Sequence, residues 1–151
     1  MNHESPENYS DTPPVDTPNP RAVEIGAESI RVIQEVVGRT ADPELRQCLL
    51  AGYLEHGAAF AAYLRLDDTA PTAATVVTRF AEAYVSSWKL FDQLIDDTLE
   101  GLGWSQALQD FCAAQGIDPD YLTWNRDALA WRVRDIYDVV EVDGWQHAFY
   151  R

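Results

Sequence analysis

The chain has 151 residues, enough to bury a real core as one domain or two small ones. Its 25 acidic residues against 11 basic ones give a net charge of −14, a field that repels nucleic acid and draws in basic partners. No run of about 18 apolar residues occurs, so no membrane span is expected, and the start lacks the basic and apolar regions of a secretory signal, which implies a cytoplasmic protein.

Residues 1–20 hold five of the eight prolines, four acids and no base, with almost nothing apolar. Such a segment cannot bury enough surface to offset its ordering entropy, so a disordered acidic tail is expected there. Asn19-Pro20 can start a first helix, with Val23, Ala27, Ile30, Ile33 and Val37 at helical spacing and Gly38 as a stop. Asp42-Pro43 repeats the start signal. The run from Glu44 to Leu66 then places Leu45, Leu49, Tyr53, Phe60 and Leu64 on one stripe, and Gly57 splits it into two helices. Thr72 opens a short turn through Val77. Residues 21–78 are thus expected to form a small helical bundle. Cys48 and Cys112 fall on apolar helical positions with no metal spacing, as reduced core cysteines do.

Residues 79–151 read as an α+β domain. Phe80–Val85 (FAEAYV) alternates like a strand, although its alanines and glutamate also suit a helical continuation. Ser86-Ser87 offers an N-cap for a helix through Glu100, with Trp88, Phe91, Ile95 and Leu99 inward. Ser105 starts another helix, with Leu108, Phe111 and Cys112 inward, and Gly116 stops it. Asp118-Pro119 begins a short turn, and residues 125–134 are expected to be helical.

The last sixteen residues, IYDVVEVDGWQHAFYR, carry a strong hairpin signal. Asp143-Gly144 suits a two-residue type I′ loop, which needs positive φ at both positions. That turn pairs Val142 with Trp145, Val140 with His147, Asp138 with Phe149 and Ile136 with Arg151. One face then carries Ile136, Val140, Val142, Trp145 and Phe149. The other carries Tyr137, Val139, Ala148 and Tyr150. With Phe80–Val85 this gives a three-stranded antiparallel sheet. The helix ending at Glu100 is expected to cover the first face, leaving Tyr137, Val139, Ala148 and Tyr150 as a dimer surface.

No nucleotide-binding glycine loop, nucleophile elbow or metal-spaced histidine or cysteine motif occurs, so no catalysis, cofactor or metal is expected. What stands out is carboxylate. Asp92, Asp96, Asp97 and Glu100 recur on one helix side, where neighbours four apart lie about 6 Å from each other. Duplex DNA presents one charge per about 1.7 Å of axis. A line of carboxylates on successive turns is a sparser version of that array, and it can act as a stand-in for phosphates.

The stretch FAEAYVSSWKLFDQLIDD…IDPDYL…ALAWRVRDIYDVVEVDGWQHAFYR resembles the C-terminal domain of the ArdA antirestriction proteins. Phe80, Tyr84, Ser86 or Ser87, Asp92 and Asp96 match the family's Phe-(acid)-x-x-Tyr strand, serine and acidic helix. Tyr137, Asp138, His147 and Phe149 match its terminal element, and residues 52–64 (GYLEHGAAFAAYL) resemble its central helical domain. The resemblance implies a non-catalytic homodimer that imitates bent DNA and occupies the DNA-binding groove of type I restriction–modification enzymes. It implies Asp92, Asp96, Asp97, Glu100, Asp110, Asp118, Asp120, Asp127, Asp135, Asp138 and Glu141 as phosphate surrogates. It also implies a shortened form, because the family's N-terminal β-rich domain has no counterpart here. Val85 replaces the glycine that usually follows the strand tyrosine, and Asn125 and Arg132 stand where the family favours acids. An acidic adaptor on the same fold is the alternative reading.

Overall fold

The computed structural model describes residues 26–151, so the expected tail and the helix start at Asn19-Pro20 lie outside the described residues. Helix α1 (Ala27–Arg39) turns Ser29, Val32 and Ile33 inward. Ile30, expected on that stripe, is 39% exposed, and the helix runs through Gly38 to a cap at Thr40. Helix α2 (Pro43–His56) begins where Asp42 accepts the Glu44 amide, with proline at its first turn. Gly57 breaks the run as expected, and α3 (Ala58–Leu64) drives into the centre with Ala58 through Tyr63 all buried.

Helix α4 (Val76–Ala83) takes most of the segment expected as a strand, and β1 (Tyr84–Trp88) starts only at its end. The reason is burial. Val76 and Phe80, four residues apart, share the inward face of α4, and Phe80 meets the rings of His56, Phe60, Tyr63 and Phe149. Alternation in FAEAYV therefore loses to a helical stripe that ends in an aromatic cluster. The expected cap at Ser86-Ser87 is also displaced, because both serines lie within β1. Helix α5 (Phe91–Gly101) starts after Leu90, whose amide donates to the Gln93 side chain. Helix α6 (Trp104–Gln115), a 3-10 turn (Pro119–Tyr121) and α7 (Arg126–Ile136) lead to β2 (Tyr137–Val142) and β3 (Trp145–Tyr150).

The sheet is antiparallel with order β1–β3–β2, an α+β arrangement with the last strand at its centre. Hairpin register follows the turn: Val142 pairs with Trp145, Val140 with His147 and Asp138 with Phe149. Asp143 at φ 54° and Gly144 at φ 76° supply the two positive angles of the loop. Ile136 ends α7 rather than pairing with Arg151. The β1–β3 register shifts between Tyr84 and Ser86, so Val85 is the extra residue of a bulge.

Both sheet faces are covered, which corrects the expected packing. Val140, Val142, Trp145 and Phe149 join one core with Val32, Leu49, Phe60 and Phe80 from α1–α4. Tyr137, Val139 and Ala148 join a second core with Trp88, Leu94, Ile95, Leu99 and Val133. Helices α5 and α7 thus cover the face expected to be open, and the α1–α4 bundle takes the face expected to belong to α5. Ala148 is fully buried, Tyr137 and Val139 are half-buried, and only Tyr150 of the expected dimer surface is largely exposed. A sheet apolar on both sides needs two covers, and the chain has helices enough for both. Since Val142 and Phe149 share a core with the bundle, the expected division near residue 78 does not separate two cores.

One polar contact locks the two ends of the described chain together. Helix α1 has Gly26 at its N-cap and no capping side chain of its own. Asp143, in the hairpin loop, supplies the missing acceptor: its carboxylate takes the amides of Gly26 (3.0 Å), Glu28 (3.1 Å) and Ser29 (3.3 Å). Glu28 returns the favour by accepting the Asp143 amide at 3.0 Å, and Arg65 pairs with Glu28. This is the reciprocal logic of a capping box, made across 115 residues instead of three. A Cβ on Gly26 would fall 2.3 Å from the Asp143 carboxylate, so the close approach requires glycine.

The Asp143 amide and Arg65 hold the Glu28 carboxyl below its usual 4.5. For Asp143, burial works against ionisation, but Ser29 and the three amides outweigh it and hold its carboxyl below 3.8. Both folded values are depressed, so the clasp contributes fully above those usual values and is lost as pH falls through the lower folded ones. Replacing Asp143→Ala is expected to cost about 1–2 kcal/mol in urea melts near neutral pH, in line with other N-cap losses. The variant's stability should also fall less steeply than wild type below about pH 4. Gly26→Ala is expected to destabilise too, and the double variant by less than the sum of the two.

Candidate functional site: an acidic surface and the groove within it

Helix α5 buries Leu94, Ile95 and Leu99, which turns Asp92, Asp96, Asp97 and Glu100 outward to solvent. Asp110 on α6, Asp118 and Asp120 at the 3-10 turn, Asp127 and Asp135 on α7, and Glu141 on β2 are exposed as well, and Asp138 is half-buried. From 91 to 127 the chain carries eight acids and a single base, Arg126.

The structure does not leave all these carboxylates free. Arg126 opens α7 against α5, donates to Asp96 at 3.0 Å and lies 4.0 Å from Asp92. Asp97 accepts the Trp88 indole N–H at 2.6 Å, which ties the end of β1 to α5. Asp138 pairs with Arg151 at 2.9 Å, and Asp118 caps the 3-10 turn through the Asp120 amide. Asp110 and Glu141 accept from the amides of Gln106 and Gln146. Among the described residues, Glu100, Asp120, Asp127 and Asp135 have no ion-pair partner and no side-chain hydrogen bond. The acids expected as phosphate surrogates therefore divide into those neutralised or tethered and those carrying full charge into solvent.

Between α5, α6 and the segment after the 3-10 turn lies an open groove of about 780 Å³. Leu99, Leu122 and Trp124 give it apolar walls, Gln106 and Gln109 polar ones, and Asp96, Glu100 and Arg126 a charged rim. Trp104 stacks on Trp124 with centroids 6.2 Å apart. The groove was not anticipated from the carboxylate pattern. Its signal in the chain is the apolar Tyr121-Leu122 and Trp124 inside a segment too short to be a core helix. A second site expected of neither motif nor charge lies at the sheet: a cleft of about 670 Å³ along β2 lined by Arg65, Arg79 and Arg151 with Asp67, Asp68 and Asp138. There the charges balance.

The buried polar centre is His147, fully enclosed at the middle of the sheet. Its Nδ1 lies 2.7 Å from Ser87 Oγ, which lies 2.8 Å from the Tyr84 hydroxyl, and its Nε2 is 3.4 Å from the Val142 carbonyl. A neutral ring protonated on Nε2 satisfies the chain: Tyr84 donates to Ser87, Ser87 to Nδ1, and Nε2 to Val142. Burial pushes the His147 pKa below 6.5, against the Val142 carbonyl and Asp143, which favour the charged form. Ser87 and His147 resemble a nucleophile and base only in their contact; both are fully buried, so neither meets a substrate. Ser87 is better understood as the partner that makes a histidine admissible in an apolar core.

No family model, curated protein or solved structure matches this chain. Among the described residues no group of three histidine, cysteine or acidic side chains could hold a metal, and no helix is long and apolar enough to cross a membrane. Cys112 is buried and Cys48 partly so; both are free thiols, with the Cys48 thiol donating to the Ala73 carbonyl.

His147 makes stability depend on pH in a second window. Its folded pKa is depressed, so its contribution is complete above 6.5 and declines as pH falls below that value toward the folded one. The urea midpoint is expected to drop as pH falls below 6.5, and His147→Gln, though less stable throughout, to lose that step. Ser87→Ala should cost about 1–3 kcal/mol, because it strips the buried Nδ1 of its donor.

Proposed function

We propose that the protein is an antirestriction protein, an acidic DNA mimic that occupies the DNA-binding groove of a type I restriction–modification enzyme. The observation that carries this reading is the exposed carboxylate array on α5, α6, the 3-10 turn and α7: nine acids against three arginines within residues 91–136. The second core holds α5 and α7 against the sheet through Leu94, Ile95, Leu99 and Val133, so the carboxylates of those two helices sit at fixed spacing. Pre-organised charge is what allows such a surface to compete with a duplex, whose phosphates are already in place. Among the described residues, Glu100, Asp110, Asp120, Asp127, Asp135 and Glu141 are the surrogates that form no ion pair, and Asp92 and Asp96 contribute less because Arg126 stands against them. A homodimer, which the sequence resemblance implies, would use a surface other than the buried Ala148 face. Tyr150 remains available to it.

The array acts by summed field, so single substitutions are expected to matter little and multiple ones steeply. Protection of unmodified phage in cells carrying a type I system should rise with expression of this protein. The variant with Glu100, Asp110, Asp120 and Asp127 all changed to the corresponding amides should lose most of that protection. Binding to the purified methyltransferase should weaken steeply with salt and be competed by DNA. Folded protein that leaves restriction unchanged overturns the proposal.

A second reading, an acidic protein-binding adaptor, is favoured by one specific observation. Asp96, Asp97, Asp118 and Asp138 are satisfied within the chain, and an aromatic groove that phosphate mimicry does not need opens among the free acids.

A further inference from the structure

We infer that the groove between α5, α6 and Leu122–Trp124 is a docking site for a cationic segment of a protein partner, bearing large apolar anchors between its arginines or lysines. This goes beyond the antirestriction reading and does not depend on it.

Three observations converge on that occupant. First, α6 is under-packed for a twelve-residue helix: Cys112 is its only buried side chain, Phe111 is 52% exposed, and it lies mainly against α5 and the 3-10 turn. Apolar surface that concentrates at one place rather than scattering singly marks an interaction site. Trp104 and Phe111 on α6, and Tyr121 and Leu122 at the 3-10 turn that packs on it, are all exposed. Second, the groove holds about 780 Å³ with apolar walls from Leu99, Leu122 and Trp124, room for one or two large side chains and the backbone that carries them. Third, its surroundings are acidic. Of the nine charged residues from 91 to 127, only Arg126 is positive, and Asp96 already holds it.

Charge decides among possible occupants. A second copy of the chain would bring another net −14 to a face that is itself acidic, and nucleic acid would be repelled in the same way. A basic segment is attracted at long range, and Glu100 on the rim stands ready to pair with it at short range. The exposed Trp104, stacked on Trp124, offers a π face to a guanidinium, which adds a contact that a plain acidic patch lacks. Gln106 and Gln109 supply amide groups that can bond a peptide backbone laid along the wall.

The test uses the full chain and three equal-length synthetic peptides, arginine–leucine, arginine–glycine and glutamate–leucine, titrated by calorimetry with tryptophan emission as a second readout. The arginine–leucine peptide is expected to bind and to shift the emission. The arginine–glycine peptide should bind at least about tenfold more weakly for want of anchors, and the glutamate–leucine peptide not at all. Two variants separate the groove from the general field. Gln106→Lys in the groove and Glu35→Gln on α1 each change the net charge by the same single unit. Gln106→Lys is expected to weaken the arginine–leucine peptide about tenfold and Glu35→Gln to leave it nearly unchanged. Leu122→Lys, checked for folding by circular dichroism, should act like Gln106→Lys. Equal binding of the two arginine peptides overturns the inference, and so does equal weakening by Gln106→Lys and Glu35→Gln.

Discussion

The Asp143 clasp is the interaction on which the rest of the arrangement depends. A helix N-terminus leaves several amides without partners, and α1 begins at a glycine that cannot satisfy them. The loop of the last hairpin brings a carboxylate to that point, and Glu28 answers through the loop's own amide. The contact ties the start of α1 to the hairpin loop, and α1 carries Val32 and Ile33 into the same core as Val142 and Phe149. Lys89, held over the Trp145 ring at 5.2 Å, steadies the same corner.

From that corner the architecture follows from a sheet with no wet face. Three strands with apolar residues on both sides must be covered twice, and the chain order dictates by what. Helices made before β1 take the face of Tyr84, Val140, Val142 and Phe149, and helices made between β1 and β2 take the face of Trp88, Val139 and Ala148. Compared with eight acids against five arginines in residues 26–83, nine against three in residues 91–136 make the net negative charge greater on the second layer. Its helices are turned outward over their full polar sides, so the charge asymmetry of the sequence becomes an asymmetry of the surface. Arg126 and the Trp88 indole then remove part of it locally.

Much of this was legible in the chain. Asp143-Gly144 declared the hairpin and its register, because only one pairing fits a two-residue loop, and Gly57 and Asp42-Pro43 marked helix ends that the structure keeps. The two faces of the hairpin were legible for the same reason. Which helices cover which face was not, since both faces are apolar and the path of the chain decides between them. The start of β1 was misplaced because FAEAYV satisfies both periods, and the aromatic cluster around Phe80 settles it for helix. At the surface, the outward direction of Asp92, Asp96 and Glu100 could be read from helical spacing. Their partners could not: Arg126 lies 30 residues from Asp96, and nothing local to either announces the pair. The Asp143 cap was hidden more completely, since an aspartate in an Asp-Gly turn already has a sufficient local explanation.

The position of β3 has a consequence for the order of events at synthesis. It lies between β1 and β2, which do not touch one another, so neither earlier strand has a ladder partner until Trp145–Tyr150 has been made. Both cores need it as well, one through Phe149 and the other through Ala148. A nascent chain that has reached Val142 therefore holds two strands without ladder partners, and the same strand completes both halves of the interior. Cooperativity of this kind is imposed by topology, and it makes six residues near the end of the chain the gate through which the whole fold passes.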